Sequence, residues 1–279
     1  MLRGTARVLL LCAVFALGIA GSANAAEILY GITFGNQLIR IDIATGIGTL
    51  VGPLDTPMAA FGLGTRVGRL YTFDQTADRI RELDPNTGAT MTTIDIGVGN
   101  LIGEGSLTFR NDGIGFMSRS SGGVGDLFSF DITVPSSTAI TPPGGLVPSM
   151  DGMDFSPGGL LYGLSQDTSE LHTIDQATGA TTLIGDTGLD DTDTLSGLAF
   201  RSNGVLFAEI SDALYTLDPA TGLATLVGLI GFSDVSGLTF LSVTQVPEPP
   251  TSALFSTGLS GLAALARRRR RRTLQAHSS

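Results

Sequence analysis

Lysine and tryptophan are absent from the 279 residues, and cysteine occurs once, as Cys12. Cys12 lies in an apolar run near the N-terminus and follows three leucines, with no small residue before it. We therefore interpret it as part of that run and not as a lipidation site. The rest of the chain has no thiol, which excludes disulfides, thiolate metal sites and a cysteine nucleophile there. Without tryptophan, the case for a sugar-stacking platform is weak.

The arginines are distributed unevenly along the chain. Of the 16, two lie among the first seven residues and six form an uninterrupted run near the C-terminus. The intervening residues 26–245 carry eight arginines and 25 acidic residues, a net charge of −17. A surface of this sign repels phosphate backbones, so we predict no nucleic-acid partner. It is compatible with divalent cations or basic partners, and equally with simple solubility.

Residues 1–25 have the three parts of a secretory signal peptide. Two arginines charge its start, Val8–Ala20 form an apolar run, and Ala23-Asn24-Ala25 supply small residues for cleavage. We predict cleavage between Ala25 and Ala26, and export of the chain. An uncleaved membrane anchor is the alternative, but the apolar run is short for a membrane span.

Residues 246–279 form a second distinct terminal segment. It contains Pro247-Glu248-Pro249, then an uncharged stretch at 251–266, then the arginine run at 267–272. The uncharged stretch would extend about 24 Å as a helix, which is marginal for a bilayer core. The arginines would remain on the cytoplasmic side and stop further transfer. The predicted stop-transfer residues are Arg267, Arg268, Arg269, Arg270, Arg271 and Arg272.

This order of elements resembles the PEP-CTERM sorting signal of Gram-negative bacteria. The resemblance covers only the C-terminal segment, and the seven residues after the arginines exceed the minimal pattern. It implies recognition by exosortase, a membrane-embedded, cysteine-dependent transpeptidase-like enzyme. It also implies cleavage near Pro247-Glu248-Pro249 and release or transfer to the outer surface, often alongside exopolysaccharide and biofilm production. An ordinary C-terminal anchor is the alternative.

The residues between these segments repeat one phrase. It consists of an aliphatic–aromatic pair, an Ile/Leu-Asp pair, a Thr-Gly turn and an apolar segment ending in glycine. Four copies begin at Leu29-Tyr30, Leu70-Tyr71, Leu161-Tyr162 and Leu206-Phe207. A degenerate copy begins at Gly115-Phe116 and has Val134-Pro135 in place of Thr-Gly. The aspartates of the five copies are Asp42, Asp84, Asp131, Asp175 and Asp218.

The segments Asp84–Gly88 and Asp218–Gly222 have the composition of hairpin turns. The aspartate can accept backbone N–H bonds, proline fixes φ at the second position, and glycine adopts the left-handed conformation. We therefore predict that the repeated aspartates form turns and are not a metal or catalytic array.

A second phrase of the type Gly-Leu-x-Phe precedes the aliphatic–aromatic pair, as in Ser196–Phe200. The two phrases together predict four short strands per copy and an all-β protein. We predict a β-propeller of five four-stranded blades over residues 26–245, because the apolar faces of each blade can be covered only by its neighbours.

The phrase also occurs at Ser236–Phe240, and nothing of a sixth copy follows. The last strand, about 236–243, is therefore predicted to join the first blade and close the ring. Six blades or an open array are the alternatives. The sequence also weakly resembles propeller-like domains of unknown function on other exported bacterial proteins, which implies no activity.

Few residues are candidates for chemistry. Asp190, Asp191 and Asp193 are the most concentrated oxygen ligands and make a weak calcium site, because the spacing is not that of an EF-hand. Asp151 and Asp154 are a weaker pair of the same kind. We predict no catalytic residue and no cofactor other than calcium at this weak site.

His172 is the one histidine of the repeats. A histidine-rich metal centre is thereby excluded, and a Ser-His-Asp triad could use only His172. The equivalent positions of the other copies hold unrelated residues, which favours a structural histidine. These are Ile39, Arg81, Phe128 and Tyr215.

These features predict an exported Gram-negative surface or extracellular-matrix protein, anchored in the membrane before exosortase processing. The propeller is predicted to be a non-catalytic binding or structural module, linked to exopolysaccharide or biofilm. One alternative is an extracellular hydrolase or lyase acting on glycans or lactones, for which carboxylates alone could suffice. A module that docks another surface protein is the other alternative.

Overall fold

The computed structural model describes most of the chain between the two terminal segments. The described residues are 25–55, 60–97, 105–121, 124–134, 136–142, 144–165, 167–189 and 196–244. The chain divides into two units, residues 27–243 and the terminal segments 1–26 with 244–279. In the described part of the chain, no helix has the length and apolar character needed to cross a membrane. The predicted apolar helix at 251–266 lies outside the described residues.

Within the described ranges, twenty strands form five four-stranded sheets, which are the predicted blades. Blade 1 contains β1 (Ala25–Thr33), β2 (Gln37–Ile41), β3 (Gly48–Pro53) and, from the end of the chain, β20 (Val235–Thr244). Blade 2 contains β4 (Ala60–Arg66), β5 (Arg69–Asp74), β6 (Arg79–Leu83) and β7 (Thr90–Ile94). Blade 3 contains β8 (Leu107–Phe109), β9 (Gly115–Ser121), β10 (Val124–Asp131) and β11 (Ser136–Ala139). Blade 4 contains β12 (Gly152–Phe155), β13 (Leu161–Ser165), β14 (Glu170–Ile174) and β15 (Thr181–Asp186). Blade 5 contains β16 (Ser196–Phe200), β17 (Leu206–Ile210), β18 (Ala213–Leu217) and β19 (Ala224–Leu229).

The five-bladed, all-β prediction is confirmed, and so is closure by the last strand. β20 pairs with β1, so the order of blade 1 is β20-β1-β2-β3. The closing strand is slightly longer than predicted. Because β20 follows the last repeat and pairs with β1 of the first, blade 1 has four strands like the other blades. The structure is neither six-bladed nor open.

The innermost strands β20, β4, β8, β12 and β16 lie side by side around the axis. Glycines in them allow the backbones to approach closely. A Cβ on Gly197 would lie 3.0 Å from the Leu238 nitrogen, and one on Gly237 would lie 2.7 Å from the Leu63 nitrogen. These two contacts place β20 between β16 and β4, which closes the ring.

The repeated aspartates form turns, as the sequence indicates. In the second blade, Asp84 Oδ1 accepts the Asn86 N–H at 2.8 Å, and the Gly88 N–H donates to the Asp84 carbonyl at 2.8 Å. Gly88 has a φ of 79°, in the left-handed region. In the other four blades, the same aspartate oxygen accepts the N–H two residues later, on Ala44, Thr133, Ala177 and Ala220.

The glycine that ends the apolar segment packs under the Thr-Gly turn of the next blade. A Cβ on Gly185 would lie 2.1 Å from the carbonyl oxygen of Thr221. A Cβ on Gly52 would likewise lie 2.1 Å from the Thr87 carbonyl oxygen, and one on Gly228 would lie 2.1 Å from that of Thr45. The two glycine-containing parts of the repeat therefore interlock between blades, and the glycine that ends the apolar segment is explained only by its contact with the next blade.

Aromatic rings fill the spaces between blades near the axis. In four of the five blades, the aromatic residue of the repeated pair meets the phenylalanine of the next inner strand. The ring-centroid pairs, 5.0–5.5 Å apart, are Tyr71–Phe109, Phe116–Phe155, Tyr162–Phe200 and Phe207–Phe240. Between blades 1 and 2 the phenylalanine is replaced by Thr65, and Tyr30 instead donates to the Pro85 carbonyl at 3.1 Å.

Candidate functional site

A cavity of about 360 Å³ lies at the carboxyl ends of the inner strands. All five blades contribute to its wall. The wall residues from the inner strands are Thr65, Thr108, Phe109, Asp154, Phe155, Phe200, Thr239, Phe240 and Ser242. Glu27, Arg201 and Ser202 lie with them at the start of β1 and at the end of β16. The cavity is therefore a product of the closed ring.

One position recurs in every inner strand, opposite the aromatic residue of the second strand. Asp154 holds it in blade 4, where it pairs with Tyr162. The corresponding residues of the other blades are small and uncharged. They are Gly64 opposite Tyr71, Thr108 opposite Phe116, Ala199 opposite Phe207, and Thr239 in the last copy of the phrase. Four blades thus show that the fold does not require a charge here.

Asp154 is held by hydrogen bonds from three consecutive inner strands. Its Oδ1 accepts the Thr108 hydroxyl at 2.7 Å and the Phe155 N–H at 2.8 Å. Its Oδ2 accepts the Phe200 N–H at 2.7 Å. Among the described residues it has no ion-pair partner. The carboxylate is rigidly oriented, but its charge is not neutralised.

Burial raises the pKa of the Asp154 carboxyl to about 6, since the charged form loses solvent. The hydrogen bonds from Thr108 and from the Phe200 and Phe155 amides oppose this rise. At neutral pH the group is mainly ionised. Its pKa lies within the range in which a carboxyl can exchange protons during binding or catalysis.

The other two charges of the cavity neutralise each other. Arg201 Nε lies 3.1 Å from Glu27 Oε2, and the Ser202 N–H donates to Glu27 Oε1 at 3.0 Å. These contacts join β1 to the end of β16. Asp154 consequently supplies the net negative charge of the cavity wall.

Three buried acids, Asp74, Glu82 and Asp126, are held in ion pairs within one blade. Asp74, fully buried, lies 2.6 Å from Arg81. Asp126 pairs with Arg119 in blade 3. Asp151, the other member of the weak pair noted in the sequence, is also buried and does not line the cavity. Asp154 therefore lines the cavity, whereas Asp151 does not.

His172 lies on β14, opposite Gly163 and Leu183. Its side chain is buried, and its Nε2 lies 3.3 Å from Glu170 Oε2. Burial lowers the pKa of His172, while the neighbouring Glu170 acts in the opposite direction. The lowered pKa favours the neutral form of the ring, and His172 does not line the cavity.

Most residues of the predicted processing and calcium sites lie outside the described part of the chain. Ala25 and Ala26, the predicted cleavage residues, are the exceptions and begin β1. The calcium candidates Asp190, Asp191 and Asp193 lie outside the described residues. So do the sorting motif Pro247, Glu248 and Pro249 and the predicted stop-transfer residues Arg267, Arg268, Arg269, Arg270, Arg271 and Arg272. Within the described ranges, no three His, Cys, Asp or Glu side chains are placed to hold a metal ion.

Sequence reasoning grouped Asp154 with Asp151 and missed its position on the axis. A signal was present: Gly152-Met153-Asp154-Phe155 has an acid where the aligned phrases have Thr108, Ala199 and Thr239. In a repeat protein, a charge confined to one copy is a departure that the fold does not demand. Aligning the copies position by position would have revealed it.

No family model matches this chain, and no curated protein matches it. Among solved structures, a symmetrical protein of de novo evolutionary emergence is 18% identical, with a TM-score of 0.51 over 80% of this chain and 100% of that one. A chain of the nidogen/laminin complex is 14% identical, with a TM-score of 0.53 over 79% of this chain and 100% of its own. These two similarities support the β-propeller fold alone. Virginiamycin B lyase from Staphylococcus aureus is 11% identical over 76% of each chain, and its TM-score of 0.45 is too low to bear on fold or function.

Proposed function

We propose that this chain is an exported surface or matrix protein whose propeller is a binding module, with its ligand in the axial cavity. The observation that carries the binding role is the unneutralised carboxylate of Asp154 in a cavity of about 360 Å³. Ligand pockets commonly fall between about 300 and 1,000 Å³. The cavity therefore suits a small molecule or one residue of a polymer.

The proposal of export and surface retention rests on the sequence. A signal peptide at 1–25 would direct secretion, and the C-terminal segment would hold the precursor in the membrane until exosortase cleaves it. The net charge of −17 over residues 26–245 suits an exposed location. The partners would be exosortase during maturation and then an exopolysaccharide or another surface protein.

Two measurements test these parts separately. Mass spectrometry of the extracellular fraction should find a form that starts near Ala26 and ends close to 247–250. An intact 251–279 segment on the extracellular protein would contradict exosortase processing. A glycan array should show saturable binding that is weakened by Asp154→Asn. If this substitution leaves binding unchanged, the ligand does not bind at Asp154 in the axial cavity.

A hydrolase or lyase acting on glycans or lactones is the second candidate. It is favoured by the Asp154 pKa of about 6, because a general acid or base works best near the ambient pH. Turnover of a bound glycan or lactone that disappears in Asp154→Asn would support the enzyme. Saturable binding without turnover would support the binding module.

A further inference from the structure

We infer that the axial cavity binds a hydroxyl-bearing primary amine, of the amino-sugar class, with the ammonium group at Asp154. This inference rests on the proposed binding function and adds the chemistry of the ligand. It would make the preferred polymer one that contains free amino groups, and not a neutral or acidic polysaccharide.

The first argument is charge. Asp154 faces a cavity whose other two charges, Glu27 and Arg201, are paired at 3.1 Å. The described ranges contain no arginine in contact with Asp154. A partly buried carboxylate favours a cation beside it, because the attraction is stronger where the dielectric constant is lower than that of water. The ligand group at this point should therefore be positively charged.

The second argument is the number of free acceptor sites. A carboxylate has about four acceptor positions. Thr108, Phe155 and Phe200 occupy three of them, and from the described part of the chain Oδ2 accepts only the Phe200 N–H. One position remains for a donor from the ligand, which an ammonium N–H fills with a charge-assisted bond.

The third argument is the character of the remaining wall. Thr239 and Ser242, on β20, line the cavity with Asn111, and their side chains carry hydroxyl and amide groups. These groups both donate and accept hydrogen bonds, which suits ligand hydroxyls. Such a wall does not supply the several carboxylates with which a protein usually surrounds calcium. An organic cation with hydroxyls therefore fits better than a bare metal ion.

The test compares sugars that share a ring and differ in charge. Glucosamine, N-acetylglucosamine, glucose and calcium chloride are each titrated into the purified full-length chain at pH 7.5, with calorimetry as the readout. We expect glucosamine to bind at least tenfold more tightly than the two neutral sugars. Asp154→Asn should weaken glucosamine binding at least tenfold. Asp95→Asn removes the same charge from an exposed pair with Arg79 and should leave the affinity unchanged.

A pH series gives a second readout. The charged groups of the cavity are Asp154, Glu27 and Arg201, and the last two neutralise each other. With a pKa of about 6, the Asp154 carboxyl is ionised in roughly one-tenth of the ligand-free molecules at pH 5. Glucosamine affinity should fall between pH 7.5 and pH 5 in the wild-type chain, because the loss of the Asp154 charge outweighs the fuller protonation of the amine, and no such fall should occur in Asp154→Asn.

The outcomes separate the two proposals. If glucose and glucosamine bind equally well and Asp154→Asn does not change their affinities, the inference of an amine ligand is wrong. The proposed binding function would still stand. If calcium binds, requires Asp154 and prevents glucosamine from binding, the inference of an amine ligand is also wrong. The cavity would then be a metal site. If neither these ligands nor a glycan array gives saturable binding, both the inference and the proposed function fail.

Discussion

The Thr108 hydroxyl donates a 2.7 Å hydrogen bond to Asp154 Oδ1, across the boundary between blades 3 and 4. Because Asp154 Oδ2 also accepts the Phe200 N–H of blade 5, one side chain connects three inner strands. On the far side of the ring, the Thr65 hydroxyl donates to the Phe240 carbonyl at 3.0 Å and connects blades 2 and 1. Asp154 thus contributes to ring cohesion as well as to the charge of the cavity, and the two roles can be tested apart.

Asp154→Asn should alter how stability depends on pH. The folded pKa of about 6 lies above the ordinary value of 3.8, so the folded state binds this proton more tightly than the unfolded state. The associated stability is complete below about pH 4 and is lost as the pH rises through about 6, a difference of about 3 kcal/mol. Melting temperatures at pH 4 to 7.5 should show that the wild-type chain loses several degrees relative to Asp154→Asn.

The matched control is Asp95→Asn, in which an exposed carboxylate is replaced. Its melting curve should follow the wild-type curve at every pH. A difference between wild type and Asp154→Asn that does not change with pH would show that the carboxyl has an ordinary pKa.

Thr108→Val should raise the pKa of Asp154 further. Valine matches threonine in shape but cannot donate the hydrogen bond that favours the ionised carboxylate. A bond to a charged group typically contributes about 1.5–3 kcal/mol, so the variant should also be less stable at neutral pH. The Asp154 carboxyl resonance, followed by ¹³C NMR from pH 4 to 9, measures the midpoint; an unchanged midpoint would contradict the assignment of this bond.

Gly185→Ala should destabilise the propeller. The added Cβ would lie 2.1 Å from the Thr221 carbonyl oxygen of the next blade, so the backbones must separate. Overpacking of this kind costs about 1–3 kcal/mol. Gly158→Ala is the control, because its Cβ would lie 3.8 Å from the nearest atom, Ser156 Oγ. Urea unfolding should show a lower midpoint for Gly185→Ala only; equal midpoints for both variants would show that the blades tolerate separation.

Removal of the closing strand should open the ring. A chain ending at Asp234 lacks β20, so β1 becomes an unpaired edge and the buried Leu238, Phe240 and Leu241 are lost. A chain ending at Thr244 keeps the strand. We expect the shorter chain to lose cooperative thermal unfolding and to aggregate, as measured by calorimetry and size-exclusion chromatography. A monomeric, cooperatively folded shorter chain would refute the role of β20 as the closure.

Local patterns explain why so much of the fold could be predicted. Asp84-Pro85-Asn86-Thr87-Gly88 forms its turn with its own atoms, since Asp84 accepts the Asn86 and Gly88 amides. The unfinished copy at Ser236–Phe240 indicated the closure because a lone strand needs a partner sheet. By contrast, the contact of Gly185 with Thr221 joins two separate copies of the repeat, and no pattern within a copy reveals which residues meet.

The amino-acid sequence by itself determined the strands, the turns and the five-fold repetition, because these depend on neighbours along the chain and on a blade's need to cover its apolar faces. Only the tertiary structure decided the surroundings of Asp154 and its pKa. In the sequence it is one acid among 25 in residues 26–245. Its raised pKa and its position on the axis arise when inner strands from separate copies close around it.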